Sequence, residues 1–184
     1  MANTGNVGKV RQHLEDYLSE FVYGGIDGAV TTFAVVAGAT GARFDNKILL
    51  VLGFANLIAD GFSMGVGSYL SSKANQQLMV KRKESIADEP SPIINGLSTY
   101  AAFILIGLVP LLAYTFDLLF DLGLSNLFVI ASILTAFAFA GIGYLKSRIA
   151  KTPVVRSVLE TMVLGAIAAS LAYVLGDLLE KVIA

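Results

Sequence analysis

Five stretches of this chain are apolar over membrane-spanning length, at about residues 19–41, 48–70, 96–116, 124–145 and 157–179. A helix needs about 20 mostly apolar residues to cross the hydrocarbon core of a bilayer. Each stretch is too long for a strand of a membrane barrel, and none keeps a period-two alternation. An open sheet leaves its edge groups unpaired in lipid, so the spans must be helical. The expected fold is an all-α membrane protein, a single domain over residues 1–184 with five transmembrane helices. Composition agrees: 55% of the 184 residues are apolar and only 15% are charged, with mean hydropathy +0.72.

Several function classes fall away. The net charge of −1 offers nothing to nucleic acid. The absence of cysteine removes disulfides, thiolate metal sites and cysteine catalysis. The single histidine, His13, lies outside the spans, and no nucleophile–base pair stands within them, so an enzyme is not expected. Residues 1–20 carry acids and lack an early apolar core, unlike a cleavable signal peptide. Val7, Val10, Leu14, Tyr17 and Leu18 recur at helical spacing. That pattern predicts an amphipathic surface helix over about residues 1–18, ahead of the first span.

Basic residues set the orientation. Ten of the 13 precede span 1 or lie between spans 2 and 3 or 4 and 5, among them Lys9, Arg11, Lys81, Arg82, Lys83 and Arg148. The positive-inside rule then places the N-terminus in the cytoplasm and the C-terminus opposite. The longest connection, residues 71–95, is cytoplasmic on this reading. Ser71 to Ser85 is expected to prolong helix 2, and Pro90 and Pro92 to stop any helix before span 3. Pro110 falls inside span 3 and is expected to kink it.

The polar residues inside the spans carry the functional reading. Ionisable groups at membrane depth are costly and usually mark an ion or proton path. Asp27 lies in span 1, with Thr31 on the same face. Asn56, Asp60 and Met64 lie in span 2 at successive i, i+4 positions, and Ser68 continues their row. At 1.5 Å per residue, Asp27 lies roughly 12 Å from the cytoplasmic end, Met64 roughly 9 Å, Asp60 roughly 15 Å and Asn56 roughly 21 Å. Asp27 therefore falls between Met64 and Asp60 in height. Ala55, Ala59, Ser63 and Gly67 form a small-residue ridge beside the row, and Gly61 and Gly65 form another. Such ridges allow close helix approach in lipid, so helix 2 is expected to be central and tightly packed. Gly24, Gly25 and Gly28 around Asp27 either loosen helix 1 or bring a neighbouring backbone close.

Taken singly, each residue has a plainer role. Met64 packs, Asn56 bonds a neighbouring helix, and Asp27 caps a broken one. Shared face and shared depth join them as a metal site. Carboxylate and amide oxygens with a thioether suit a divalent first-row ion such as Fe²⁺ or Mn²⁺. A carboxylate at this depth takes a metal or a proton, one in exchange for the other. Asp27 and Asp60 are the expected metal ligands and proton carriers, Met64 the selectivity ligand, and Asn56 a neutral oxygen on the outer side.

The segments DGAVTTFAVVAGATGA (27–42) and GFANLIADGFSMGVGSYLSSK (53–73) resemble the vacuolar iron transporter family, and the Leu108-Val-Pro-Leu-Leu run agrees. The resemblance implies a five-helix fold that dimerises, with a path at the subunit interface. It implies Fe²⁺ export from the cytoplasm in exchange for protons. The family's path aspartate matches Asp27 and its path methionine matches Met64. Plant vacuolar members have glutamate where this chain has Asn56, and a small residue where it has Asp60. They also carry a long glutamate-rich metal-binding domain between helices 2 and 3. Here that connection holds only Glu84, Asp88 and Glu89 as acids, which are expected to be solvated. The chain thus resembles the short members that lack that domain.

Glu160 stands one turn beyond Arg156. It reads as an i, i+4 ion pair or, alternatively, as a residue of the cytoplasmic mouth. The whole pattern predicts a homodimeric transporter in the lipid bilayer of a prokaryotic plasma membrane or a vacuole. It would have no cofactor beyond the Fe²⁺ or Mn²⁺ it carries, with H⁺ as counter-ion and no nucleic-acid partner. A non-transporting scaffold, with polar residues that hold helices together, is the alternative.

Overall fold

A computed structural model describes the backbone of residues 4–86 and 89–183, with side chains from Tyr17 onward. It is helical throughout: α1 (Thr4–Gly41), α2 (Asn46–Lys81), α3 (Pro92–Gly107), α4 (Val109–Phe120), α5 (Leu127–Ala150) and α6 (Val154–Ile183). Among the described residues, α1, α2, α5 and α6 are each long and apolar enough to cross a membrane. Helices α3 and α4 meet the same criterion only as a pair bent by 51°, so the described residues offer four spans, or five where the bent pair counts as one. The chain is a multi-pass membrane protein.

Pro110 causes the bend, as expected. Its ring offers no N–H to the Ile106 carbonyl and would collide with it in a straight helix. Leu108 N closes α3 on Ile104 O at 3.0 Å, and Leu111 N reaches back only to Leu108 O, also at 3.0 Å. The prolongation of helix 2 is also present, and runs to Lys81.

The start of α1 differs from expectation. No break separates the N-terminal segment from the first span, because the helix is continuous over 38 residues. The sequence supplies no proline before Pro90 to interrupt it. Such a helix is about 57 Å long against a hydrocarbon core of about 30 Å. Its first turns therefore continue beyond the core as part of α1 and do not form a separate surface helix. The amphipathic face expected over residues 1–18 belongs largely to side chains outside the described set, as do His13 and Asp88.

The central helix is α1, not α2: α1 packs against α2, α3, α4, α5 and α6. Its glycines explain why. A Cβ on Gly24 would strike the Thr99 carbonyl oxygen, and one on Gly28 would strike that of Phe103. A Cβ on Gly107 would lie 2.8 Å from Gly28 O. Thus the cluster around Asp27 brings α3 against α1 backbone to backbone, without loosening the helix. Gly41 and Gly176 do the same for α1 and α6 at the other end.

Helix α2 packs chiefly on α3, through one of its two small ridges. A Cβ on Gly65 would lie 3.0 Å from Gly96 O. The other ridge, Ala55, Ala59, Ser63 and Gly67, is exposed. A Cβ on Gly67 would meet nothing within 4 Å.

The core joins Val36, Leu49, Phe103, Leu111 and Ala131, each almost fully buried. Large apolar residues also point outward, such as Phe137 at 73% exposure and Val51 at 68%. In water these would be a liability. In lipid they cost nothing, because the surrounding tails are as apolar as they are.

Contacts fix the two ends of the bundle. Ser91 N donates to Tyr17 Oη at 3.1 Å at the end that carries Lys81, Arg82, Lys83 and Arg156, called here the basic end. Thr40 Oγ1 and Tyr114 Oη lie 3.5 Å apart toward the opposite end, where Arg43 also faces Glu180 at 3.8 Å.

Candidate functional site

Asp27 and Asp60 are brought together across the α1–α2 contact. Both are half-buried, and they lie close enough for their charges to interact. A bound cation reverses the sign of that interaction. Thr31 does not relieve it, because its hydroxyl donates to the Asp27 main-chain oxygen at 2.8 Å.

Met64 lies one turn from Asp60 toward the basic end. One side of it packs against the apolar core. It also lines a polar cavity of about 370 Å³, together with Glu20, Tyr23, Ser63, Ser68 and Ser72. Asn56 lies one turn the other way, and its buried Nδ2 has no hydrogen-bond partner. The row read from the sequence, with Asp27 beside it, thus forms a graded series: a polar cavity at the basic end, a thioether, two interacting carboxylates, then an unsatisfied amide.

Glu20 was not among the residues singled out from the sequence. It accepts hydrogen bonds on Oε2 from Ser68 Oγ at 2.9 Å and Thr99 Oγ1 at 2.8 Å. The available signal was its spacing. Glu20 precedes Asp27 by seven residues, two helical turns, and so shares its face.

Glu160 is not brought to this group. It is on α6, bonded to Lys146 Nζ at 3.1 Å and Arg156 Nε at 3.0 Å. These contacts match the ion-pair account weighed for it. Asp117 is also engaged locally, its Oδ1 accepting from Leu124 N at 2.8 Å.

Among the described residues, no group of three or more His, Cys, Asp or Glu side chains is placed to hold a metal. One chain therefore offers a carboxylate pair, a thioether and an amide. A six-coordinate ion bound there needs further oxygens from water or from a second copy.

A family model, that of the VIT family, matches residues 18–89 and 75–177. The chain belongs to the VIT family. The two matches overlap at residues 75–89, over the last turns of α2 and the start of the connection to α3. Among family members, a protein of Toxoplasma gondii named "Vacuolar iron transporter" is 28% identical, over 91% of this chain and 76% of its own length. "Vacuolar iron transporter homolog 4" of Arabidopsis thaliana is 29% identical, over 85% of this chain and 81% of its own length. "Vacuolar iron transporter 1" of the same plant is 25% identical, over 90% and 87% respectively. That last alignment takes 222 positions, more than the 184 residues of this chain, whereas the homolog 4 alignment takes 164. Some family members thus carry internal sequence that this one lacks, and it is a short member.

Proposed function

We propose that the chain is a divalent transition-metal transporter that moves Fe²⁺, and also Mn²⁺, out of the cytoplasm in exchange for protons. The observation that carries this reading is that the charges of Asp27 on α1 and Asp60 on α2 interact inside the spans, one turn from Met64, which lines a polar cavity. The names of the similar family members supply the metal. The cavity at the basic end, cytoplasmic by the positive-inside rule, is the way in. Metal passes Glu20 and Met64 and binds between the two carboxylates. When it leaves outward, the carboxylates take protons in its place, because two adjacent bare charges at this depth repel.

The working unit is a homodimer. The uncovered ridge of Ala55, Ala59, Ser63 and Gly67 supports it, since small residues at four-residue spacing are helix-contact surfaces in lipid. The ridge adjoins the Asn56–Asp60–Met64 row, so a second copy would add its own carboxylates to the site. The chain has no cysteine, which allows a clean test. Ser63→Cys is expected to give disulfide-linked dimers in membranes under mild oxidation. Only monomers there, with dimers formed instead from an outward cysteine at Phe137→Cys, would place the interface elsewhere.

Met64 tests the choice of metal. A thioether favours borderline ions over hard ones. Met64→Leu keeps the volume and removes the sulfur. Its preference for Fe²⁺ over Mg²⁺ is expected to fall about tenfold, equivalent to about 1.4 kcal/mol. Competition of Mg²⁺ against Fe²⁺ flux in proteoliposomes measures this, and an unchanged ratio removes Met64 from the selectivity role.

A further inference from the structure

A groove of about 340 Å³ opens at the perimeter of the bundle, where α2 meets α3. Phe62, Val66 and Tyr69 of α2 wall one side, and Ile93, Leu97 and Tyr100 of α3 wall the other. Gly65 and Gly96 lie at its floor. A Cβ on Gly96 would lie 2.6 Å from Gly65 O and 3.0 Å from Tyr69 Cβ. The helices therefore touch backbone to backbone, and no side chain fills the space between the exposed Phe62, Ile93 and Leu97.

The groove runs through one leaflet. Phe62 lies eight residues inside the basic end of span 2, roughly 12 Å at 1.5 Å per residue, and Tyr69 lies at that end. Half of a hydrocarbon core about 30 Å thick covers that length. Tyr69 then stands at headgroup level, where rings with a polar tip collect.

A cation closes the headgroup end. Lys73 Nζ donates to Tyr69 Oη at 3.3 Å and lies 5.5 Å from the centre of the Tyr69 ring. These contacts hold the ammonium group beside the groove. Among the described residues no carboxylate pairs with it. An apolar slot one leaflet long, with a cation held at its polar end, matches the acyl chain and phosphate of an anionic phospholipid. The leaflet agrees, because the basic end is cytoplasmic by the positive-inside rule and cytoplasmic leaflets carry anionic lipid.

We propose that the α2–α3 groove is a phospholipid site, in which one acyl chain lies between Phe62 and Leu97 and the anionic headgroup meets Lys73. The site does not depend on metal transport. It also lies apart from the open ridge of α2. Gly65 is two residues from both Ser63 and Gly67, about 160° around the helix from each. A second copy seated on that ridge would leave the groove to lipid.

The chain has no tryptophan, so a single introduced one reports only on its own surroundings. Phe62→Trp places it in the groove wall. Phe137→Trp is the control, eight residues inside the basic end of span 4 and so also roughly 12 Å deep. Both positions are exposed, so neither change threatens the fold. Each full-length variant is reconstituted in phosphatidylcholine vesicles that hold rising fractions of phosphatidylglycerol or phosphatidylcholine brominated on the acyl chains. Bromine quenches a tryptophan that it touches. Phe62→Trp is expected to be half-quenched at about one-fifth the mole fraction of phosphatidylglycerol that phosphatidylcholine requires, the effect of about one lysine charge. Phe137→Trp is expected to respond to both lipids alike. Adding Lys73→Gln to Phe62→Trp is expected to make the two lipids equal while quenching persists. Equal quenching by both lipids in Phe62→Trp alone, or an equal preference in Phe137→Trp, overturns the site. So does a preference that Lys73→Gln leaves intact. Fluorescence in Phe62→Trp that neither lipid quenches overturns it too, and gives the groove to a second copy of the chain.

Discussion

Asp27→Asn is expected to abolish metal flux in proteoliposomes while the protein still folds and purifies as wild type does. The two side chains have nearly the same shape, so α1 keeps its close contact with α3 at Gly24 and Gly28. What changes is charge. Asp60 then faces a neutral amide, and a divalent ion loses half of its charge compensation within each chain. Truncating one partner of a buried charge pair costs about 2–5 kcal/mol. At about 1.4 kcal/mol per decade, that is a loss of roughly 30-fold to several thousandfold. Asp60→Asn is expected to fall in the same range, because the two carboxylates act on the same ion. Flux near wild type in Asp27→Asn, with thermal unfolding unchanged, removes Asp27 from the path.

The second large effect is structural. Gly28→Leu is expected to prevent assembly of the bundle. A Cβ there already strikes the Phe103 carbonyl oxygen, and on the facing helix even a Cβ at Gly107 would lie 2.8 Å from Gly28 O. The obstacle is backbone, which cannot change rotamer. Overpacking typically costs about 1–3 kcal/mol and more where nothing can yield. Loss of the monodisperse peak in size-exclusion chromatography is the expected result. Gly67→Leu is the matched control, because a Cβ there meets nothing of its own chain within 4 Å. It is expected to leave the protomer folded and to lower the fraction of dimer. If both variants behaved alike, the division between the α1–α3 contact and an open α2 ridge would be wrong.

The spans were legible in the sequence because a membrane demands long apolar helices and admits little else. Pro110 was legible for the same kind of reason: a missing N–H acts locally, whatever surrounds it. Helix order in space was not. Gly24 and Gly28 on α1 and the two ridges of α2 look alike as strings of small residues. Only tertiary packing decides that α3 fills the first group while one α2 ridge stays open. The joint of segment 1–18 with span 1 was misplaced because an amphipathic pattern reports a face, not a break, and α1 runs through it.

The site divides along the same line. Asp27, Asp60 and Asn56 stand out as candidates because they are polar groups in an apolar run, and Met64 because it shares their helix face. Glu20 shares the Asp27 face by its seven-residue spacing, but it sits where the apolar run begins, and an acid there reads as solvated. Its bonds to Ser68 and Thr99 come from helices distant in sequence.

The most direct test of the central claim is Fe²⁺ movement by the wild-type chain in liposomes that hold an iron-sensitive dye, with and without a pH gradient. Transport through the α1–α2 path predicts dye quenching that needs the protein, speeds up when the dye compartment is the more acidic, and drives protons the opposite way. Quenching no faster than in protein-free liposomes, with or without the gradient, would contradict it and leave a membrane scaffold as the reading of these polar helices.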